Sequence, residues 1–362
     1  MKTLKVIALV GLGGAVACAA VIGLHRRKPE ADKANGGPAT DEWLKTLGDQ
    51  RRFPDHIARL PKNADTFLSL VLSGEHPHMV GAALHGLERG YGMRPQEAPL
   101  LSQAVLASLG SNDDEILGAA LSAARPLLAA KGEPSIESRL LDLAGRLSQG
   151  PGRYALLDTL SSIGADRMGP SHIALAQASL QDKAAYVRSR SLRFLEVHSE
   201  QILEKDRPAL SEAVATCLVD LDPGVRGRAA VVLASLGRAK AASLRALLKD
   251  PIPFVQAQAC TALARTGLHE HLQEVLELTT STAMARYDIR GWTTLEGEPG
   301  CESHASSPSG FLGEAAATAL ALLSHGQAKV ASIASEDVAG SLLRNRDAVA
   351  AWLASTEGAD NQ

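Results

Sequence analysis

Cys301, Glu302 and His304 lie within four residues of one another, and side chains of these types could together hold a metal ion. A C-x-x-H pair is only half of a zinc site, however, and no second ligand pair follows it, so no metal is expected. His78 and His85 are seven apart and could share a helix face, with His76 in the preceding turn. No carboxylate is placed to orient any of their rings, and they read as a turn-and-surface cluster. His269-Glu270-His271 reads as the polar start of a helix running through Leu272–Leu278. There is no G-x-S-x-G elbow and no P-loop lysine after a glycine-rich turn. Gly11-Leu12-Gly13-Gly14 follows no strand and lies inside an apolar run, which removes a nucleotide reading. The four cysteines, Cys18, Cys217, Cys260 and Cys301, are dispersed, with no C-x-x-C pair and no disulfide framework. No catalytic residue and no cofactor is expected, so the elements that carry these groups must supply the function.

Hydrophobic residues make up 45% of the chain and aromatics only 3%, which calls for a core of Leu, Ala and Val in closely packed helices. Residues 6–24 carry no charge. As a helix they would span roughly 28 Å, about the hydrocarbon thickness of a bilayer. They read as an uncleaved anchor, as a signal peptide with Ala15-Val16-Ala17 as its cleavage site, or as a lipoprotein signal that leaves Cys18 lipidated. Residues 1–28 thus form a membrane or signal segment, and 29–40, with Gly36-Gly37-Pro38, a flexible linker. Beyond Lys28 there are 32 basic against 40 acidic residues, a body of about −8 that disfavours nucleic acid. Lys2 and Lys5 nearly balance Arg26, Arg27 and Lys28, so charge leaves the orientation open. The signal-like start points to a periplasmic body, and the dispersed cysteines to a reducing side.

The folded part, 41–358, repeats itself. Asp222-Pro223-Gly224-Val225-Arg226 opens a segment that closes on Gly237; copies lie around Val255 and Val187, with fainter ones at Met79, Ile116 and Gly152 and a last one at Phe311–Leu323. Asp offers a helix cap, Pro is tolerated in a first turn, and Val225, Ala229, Leu233 and Leu236 form one stripe. A second amphipathic segment precedes each copy, from Leu100–Leu109 to Leu272–Leu278. This D-P-x-V-R-x-x-A-A-x-x-L-x-x-L-G pattern resembles HEAT and HEAT-like (PBS-lyase-type) repeats over about residues 65–326. With the apolar N-terminus, the whole resembles a bacterial membrane-tethered HEAT-repeat protein. The resemblance implies an all-α, right-handed α-solenoid of about seven helix pairs behind the membrane segment, binding macromolecules on its inner surface. It carries no bilin lyase chemistry. Deoxyhypusine hydroxylase, a HEAT-like iron enzyme, uses several His-Glu pairs, whereas His269-Glu270 stands alone here.

Two features are candidates for partner contact. Arg188, Arg190, Arg193, Arg226 and Arg228 form a stripe on adjacent repeats. Such arginines either pair with the Asp of a neighbouring turn or recognise an acidic partner. Residues 280–309 interrupt the last repeat, too long for an ordinary connection, and read either as a tolerated insertion or as a binding element presenting Tyr287, Arg290 and Trp292. The expected function is a non-catalytic, membrane-tethered scaffold in a bacterial cell envelope that binds a protein partner through Arg226, Arg228, Arg290, Trp292 and Tyr287. The alternative is an envelope lipoprotein, lipidated at Cys18, acting in assembly or cell–cell exchange.

Overall fold

A computed structural model describes residues 64–359 apart from 75–76, 131–132, 269–270, 296, 306 and 308–309. The expected membrane segment 6–24 with Cys18, the expected linker 29–40, His76 and the His269-Glu270 pair lie outside the described residues. Among the described residues, no helix is long and apolar enough to cross a membrane.

The described residues form seven helix pairs in order, each an A helix and then a B helix. They are α1 (Ala64–Ser73) with α2 (Pro77–Met93), α3 (Ala98–Ser108) with α4 (Asp114–Ala129), and α5 (Pro134–Arg146) with α6 (Gly150–Leu160). Next come α7 (Pro170–Ser179) with α8 (Ala185–Val197), α9 (Arg207–Thr216) with α10 (Pro223–Ser235), and α11 (Ala241–Leu248) with α12 (Pro253–Thr266). The last pair is α13 (Leu272–Leu278) with α14 (Leu312–Leu323), and α15 (Val338–Ala359) packs on both of its helices. Each B helix from α2 to α14 lies against the next, giving one continuous layer.

That layer explains the composition. Val225, Ala229, Leu233 and Leu236 are buried as the stripe requires, but so are Ala230, Val231, Val232 and Ala234, because α10 is flanked by B helices on both sides. Small side chains let the axes approach: a Cβ added at Gly227 would lie 2.9 Å from the Phe254 ring. Gly237 ends the repeat with φ +68°, a conformation that a side chain would strain.

The turns inside the repeats are locked by one recurring contact. Asp182, Asp220 and Asp250 each accept the backbone N–H two residues on, at 2.8, 2.9 and 2.9 Å. Six residues after Asp182, Arg188 donates to the carbonyls of Asp182 and Lys183 and forks onto Asp220 of the next repeat at 2.7 Å through both arms. Arg226 repeats this, holding the carbonyls of Asp220 and Leu221 and forking onto Asp250 at 2.9 and 3.0 Å. Gln256 ends the ladder on the Asp250 carbonyl at 2.9 Å. The aligned acids are therefore Asp220 and Asp250, so the two Asp-Pro pairs, Asp222-Pro223 and Asp250-Pro251, do not occupy equivalent positions. Asp222 caps α10 through the Val225 N–H, whereas α12 takes Ile252 as its N-cap.

The all-α expectation is corrected at the insertion. Arg286–Thr293 (β1) and Pro299–Ala305 (β2) form an antiparallel hairpin between α13 and α14. Tyr287-Asp288-Ile289-Arg290 alternates with the two-residue period of a strand, and Gly297 at φ +80° closes the turn.

Cutting the ladder tests its weight. Arg226→Ala and Asp250→Ala are each expected to cost about 2 kcal/mol, because each leaves a largely covered charge unpaired. In urea denaturation the double variant will cost less than the sum of the two; strict additivity would show that the pair is not coupled.

Candidate functional site

The hairpin lies across three successive B helices, with β1 touching α8, α10 and α12. Alternation splits it into two faces. Ile289, Gly300, Glu302 and His304 are buried against the helices, while Arg286, Asp288, Arg290, Cys301 and Ser303 face solvent. Cys301 and His304 therefore point to opposite sides, as residues three apart on a strand must, and the C-x-x-H spacing assembles no ligand pair. Among the described residues, no group of three His, Cys, Asp or Glu side chains could hold a metal ion.

A bulge re-aims the end of β1. Arg290 pairs with Cys301 and Trp292 with Gly300, so Gly291 is the extra residue and Trp292 turns inward with Ile289. Its indole stacks on Tyr186 with centroids 4.2 Å apart and planes 9° apart, and meets Tyr154 at 4.4 Å. A Cβ at Gly300 would fall on that indole, so only glycine fits opposite Trp292. At the other end, the Tyr287 hydroxyl donates to Asp222 at 3.0 Å. Burial, with the Asp222 charge beside it, pushes that phenol up to about 12. The Tyr287 and Ile289 side chains press on Gly224, where a Cβ would lie 3.0 and 3.1 Å from them.

Between these aromatic ends lies a covered set of charges. Arg190 pairs with Asp158 at 2.7 Å and Glu302 at 3.7 Å, and stands 4.7 Å above the Tyr154 ring. Burial lowers the pKa of Arg190, but Glu302 and Asp158 more than reverse this and hold it above the usual value. Burial pushes the Glu302 carboxyl up, against the pull of Arg190 and Arg228. Arg228 reaches Glu196 at 3.3 Å and the Nδ1 of His304 at 2.5 Å. A guanidinium can only donate, so Nδ1 accepts, and the ring proton sits on Nε2, 3.3 Å from the Ser189 hydroxyl. Burial first, then Arg228, Arg190 and Arg193, hold His304 neutral down to about pH 2.

Residues 209–290, from α9 into β1, match the family profile described as HEAT repeats. This stretch is therefore similar to HEAT repeats. No curated protein matches the chain. One solved structure similar to it is the crystal structure of an engineered protein, a structural-genomics target. It is 15% identical, with 85% of this chain and 84% of that chain covered, at a TM-score of 0.49. HEAT repeats are typically non-catalytic scaffolds for protein–protein interaction.

Of the five residues expected at a partner surface, four make contacts inside the helical body. Arg226 locks a turn, Arg228 lies under β2, and Tyr287 and Trp292 fasten the hairpin. Arg290 stands on the outer face with its side chain 72% exposed and paired to Asp288 at 2.5 Å. Sequence reasoning missed Tyr154, Tyr186, Asp158 and Glu196, which come from helices far from the insertion in sequence; two tyrosines in a chain of 3% aromatics were the available signal. Beside the hairpin turn, Thr294 and Leu295 line a shallow cleft of ≈ 450 Å³ with Arg146, Leu147 and Gly152.

Two measurements probe this site. Trp292→Ala and Gly300→Val will each free the hairpin, seen as faster tryptic cleavage at Arg286 and Arg290 with helical circular dichroism unchanged. Unaltered cleavage would show that the stack does not hold it. Acid will also act. His304 and His198, the latter lowered by burial and by His172 to about 4, stay neutral in the fold but protonate below about 6.5 in the unfolded chain. Their contribution is complete above that pH and falls as pH drops, by about 2 kcal/mol per histidine at pH 5. Glu302, with its raised pKa, works in the opposite sense. Urea midpoints are expected to fall from pH 7.5 to pH 5, and less so in the His198→Gln/His304→Gln variant.

Proposed function

We propose that this protein is a non-catalytic HEAT-repeat scaffold that binds a protein partner, tethered to a bacterial envelope membrane through residues 6–24. The observation that carries the binding reading is the docked hairpin. Its inner face is fastened to three B helices, and its outer face turns Arg286, Asp288, Arg290, Cys301 and Ser303 to solvent. A rigid, polar strip on a helical platform suits recognition, because little ordering cost remains to be met on binding. Arg290 is the contact residue, while Arg226, Arg228, Tyr287 and Trp292 act indirectly by holding the strip and its platform in place. The titratable groups beneath the hairpin are covered and paired with one another, which is a structural use rather than a catalytic one. The tether raises the local concentration of the scaffold at the membrane. Ala15-Val16-Ala17-Cys18 favours a second reading, an envelope lipoprotein acting in assembly or cell–cell exchange with the solenoid on the periplasmic side.

Cross-linking of the tagged full chain in its own membranes, with identification of what it captures, tests the scaffold reading. Arg290→Glu is expected to lower capture by about tenfold, as loss of an interface arginine can; undiminished capture would refute the hairpin surface. Mass spectrometry of the mature N-terminus separates the tethers: an intact Met1 supports the anchor, a lipidated Cys18 the lipoprotein.

A further inference from the structure

The arginines of α8, α10 and α12 fall into three classes by what their guanidiniums touch. Arg188 and Arg226 are saturated by the turn ladder. Arg190 and Arg228 are covered by the hairpin. Arg193 and Arg265 remain half open, their side chains 45% and 41% exposed. Both lean on a single carboxylate. Glu196 receives Arg193 at 3.4 Å, Arg228 at 3.3 Å and Arg265 at 3.2 Å, three cations around one anion. The Glu196 carboxyl is largely buried, yet these three arginines hold its pKa below the usual carboxylate range, so it is ionised; Arg228 also faces Glu302 beneath the hairpin, and the positive excess of the nest is carried by Arg193 and Arg265. This excess sits on a body of about −8, so it is a local concentration of positive charge and not a general property of the surface.

We infer that this nest is the docking point for an acidic segment of a protein partner, whose carboxylates lodge on Arg193 and Arg265. The inference rests on the scaffold reading and names the chemistry of its partner. Arg265 is already oriented, donating to the Ser235 hydroxyl at 2.7 Å, and its planar fork suits a carboxylate. The Arg193–Glu196 contact is a long pair within one helix turn, of the weak kind that partly exposed side chains make, so Arg193 can turn outward at little cost. Val197, 46% exposed beside Glu196, adds an apolar spot, so the matching segment is acidic with apolar residues interspersed. Two half-open guanidiniums form a spot and not a track. The neighbouring aromatics Tyr154, Tyr186 and Trp292 are stacked on one another instead of being free for bases. Both facts favour a peptide over a nucleic acid.

The test is fluorescence anisotropy on the full chain with a labelled (Glu-Glu-Leu)4 peptide, set against (Lys-Lys-Leu)4, a single-stranded oligonucleotide and vesicles containing anionic lipid. The acidic peptide is expected to bind, more weakly as salt rises, and at least tenfold more weakly to Arg193→Gln/Arg265→Gln; Arg344→Gln, on the exposed face of α15, changes nothing. The Arg193→Glu/Arg265→Glu variant is expected to reverse the preference and take up the lysine peptide. That gain cannot come from unfolding alone if its circular dichroism matches the parent. Equal affinity of the parent and the glutamine variant for the acidic peptide overturns the inference, as does stronger binding of oligonucleotide or vesicles. If membrane capture depends on Arg290 but not on Arg193 and Arg265, the inference falls while the scaffold reading stands. If peptide binding depends on Arg193 and Arg265 and capture on neither they nor Arg290, the scaffold reading falls alone.

Discussion

An arginine six residues after an aspartate, binding its own turn and the acid of the next, is the contact on which the middle of this protein depends. Arg188 and Arg226 each satisfy two carbonyls that the tight A-to-B turn leaves open, and each crosses to the following repeat with a two-armed fork. Buried peptide groups need partners, and a guanidinium can serve both the turn and its neighbour because its donors lie in one rigid plane. The same contact fixes how far apart consecutive B helices begin. The small residues behind it, Gly227 and Ala257 among them, then allow those helices to close up.

The platform made in this way has a second use. Two residues beyond each ladder arginine, about 200° around the helix, Arg190 and Arg228 face the other side, and there the hairpin covers them. Burying charge is costly unless it is paired. Glu302 and His304 supply the pairing from the hairpin and Asp158 and Glu196 from the helices, while the Trp292 and Tyr287 contacts at either end exclude water. An isolated two-stranded hairpin is marginal in water, so its order here comes from the helices that it lies on. The hairpin and the helix surface thus form one unit, with a polar outer strip on the hairpin and a half-open arginine nest beside it.

How far all this could be read beforehand differs from element to element. The helix pairs were legible because a stripe such as Val225, Ala229 and Leu233 is a local pattern, and positive-φ glycines such as Gly237 mark its end. The Asp-Pro pairs suggested a repeat frame based on Asp222, and the structure shifts that frame to Asp220, because the ladder is chosen by reach between repeats and not by the local cap. The hairpin was hidden by its polar content: only Tyr287 and Ile289 mark its inner face in β1, and β2 buries Glu302 and His304, residues that read as exposed in any sequence count. Unbroken alternation from Ile289 would also have placed Trp292 on the outer face, and only the bulge at Gly291 turns it inward.

By itself, the sequence determined that helix pairs repeat along the chain and where the repeat is interrupted, and it offered two fates for each arginine. The tertiary structure decided which fate each one took. Arg188, Arg190, Arg193, Arg226 and Arg228 are alike in composition and nearly alike in setting, and helix rotation alone sends them to a turn, beneath a hairpin or partly into water. For all but Arg193, what decides is the position of carboxylates 24 residues or more distant along the chain, and of a hairpin folded back from the last repeat. No local pattern encodes such distances, because the attraction between a guanidinium and a carboxylate depends on separation in space and on the water excluded between them.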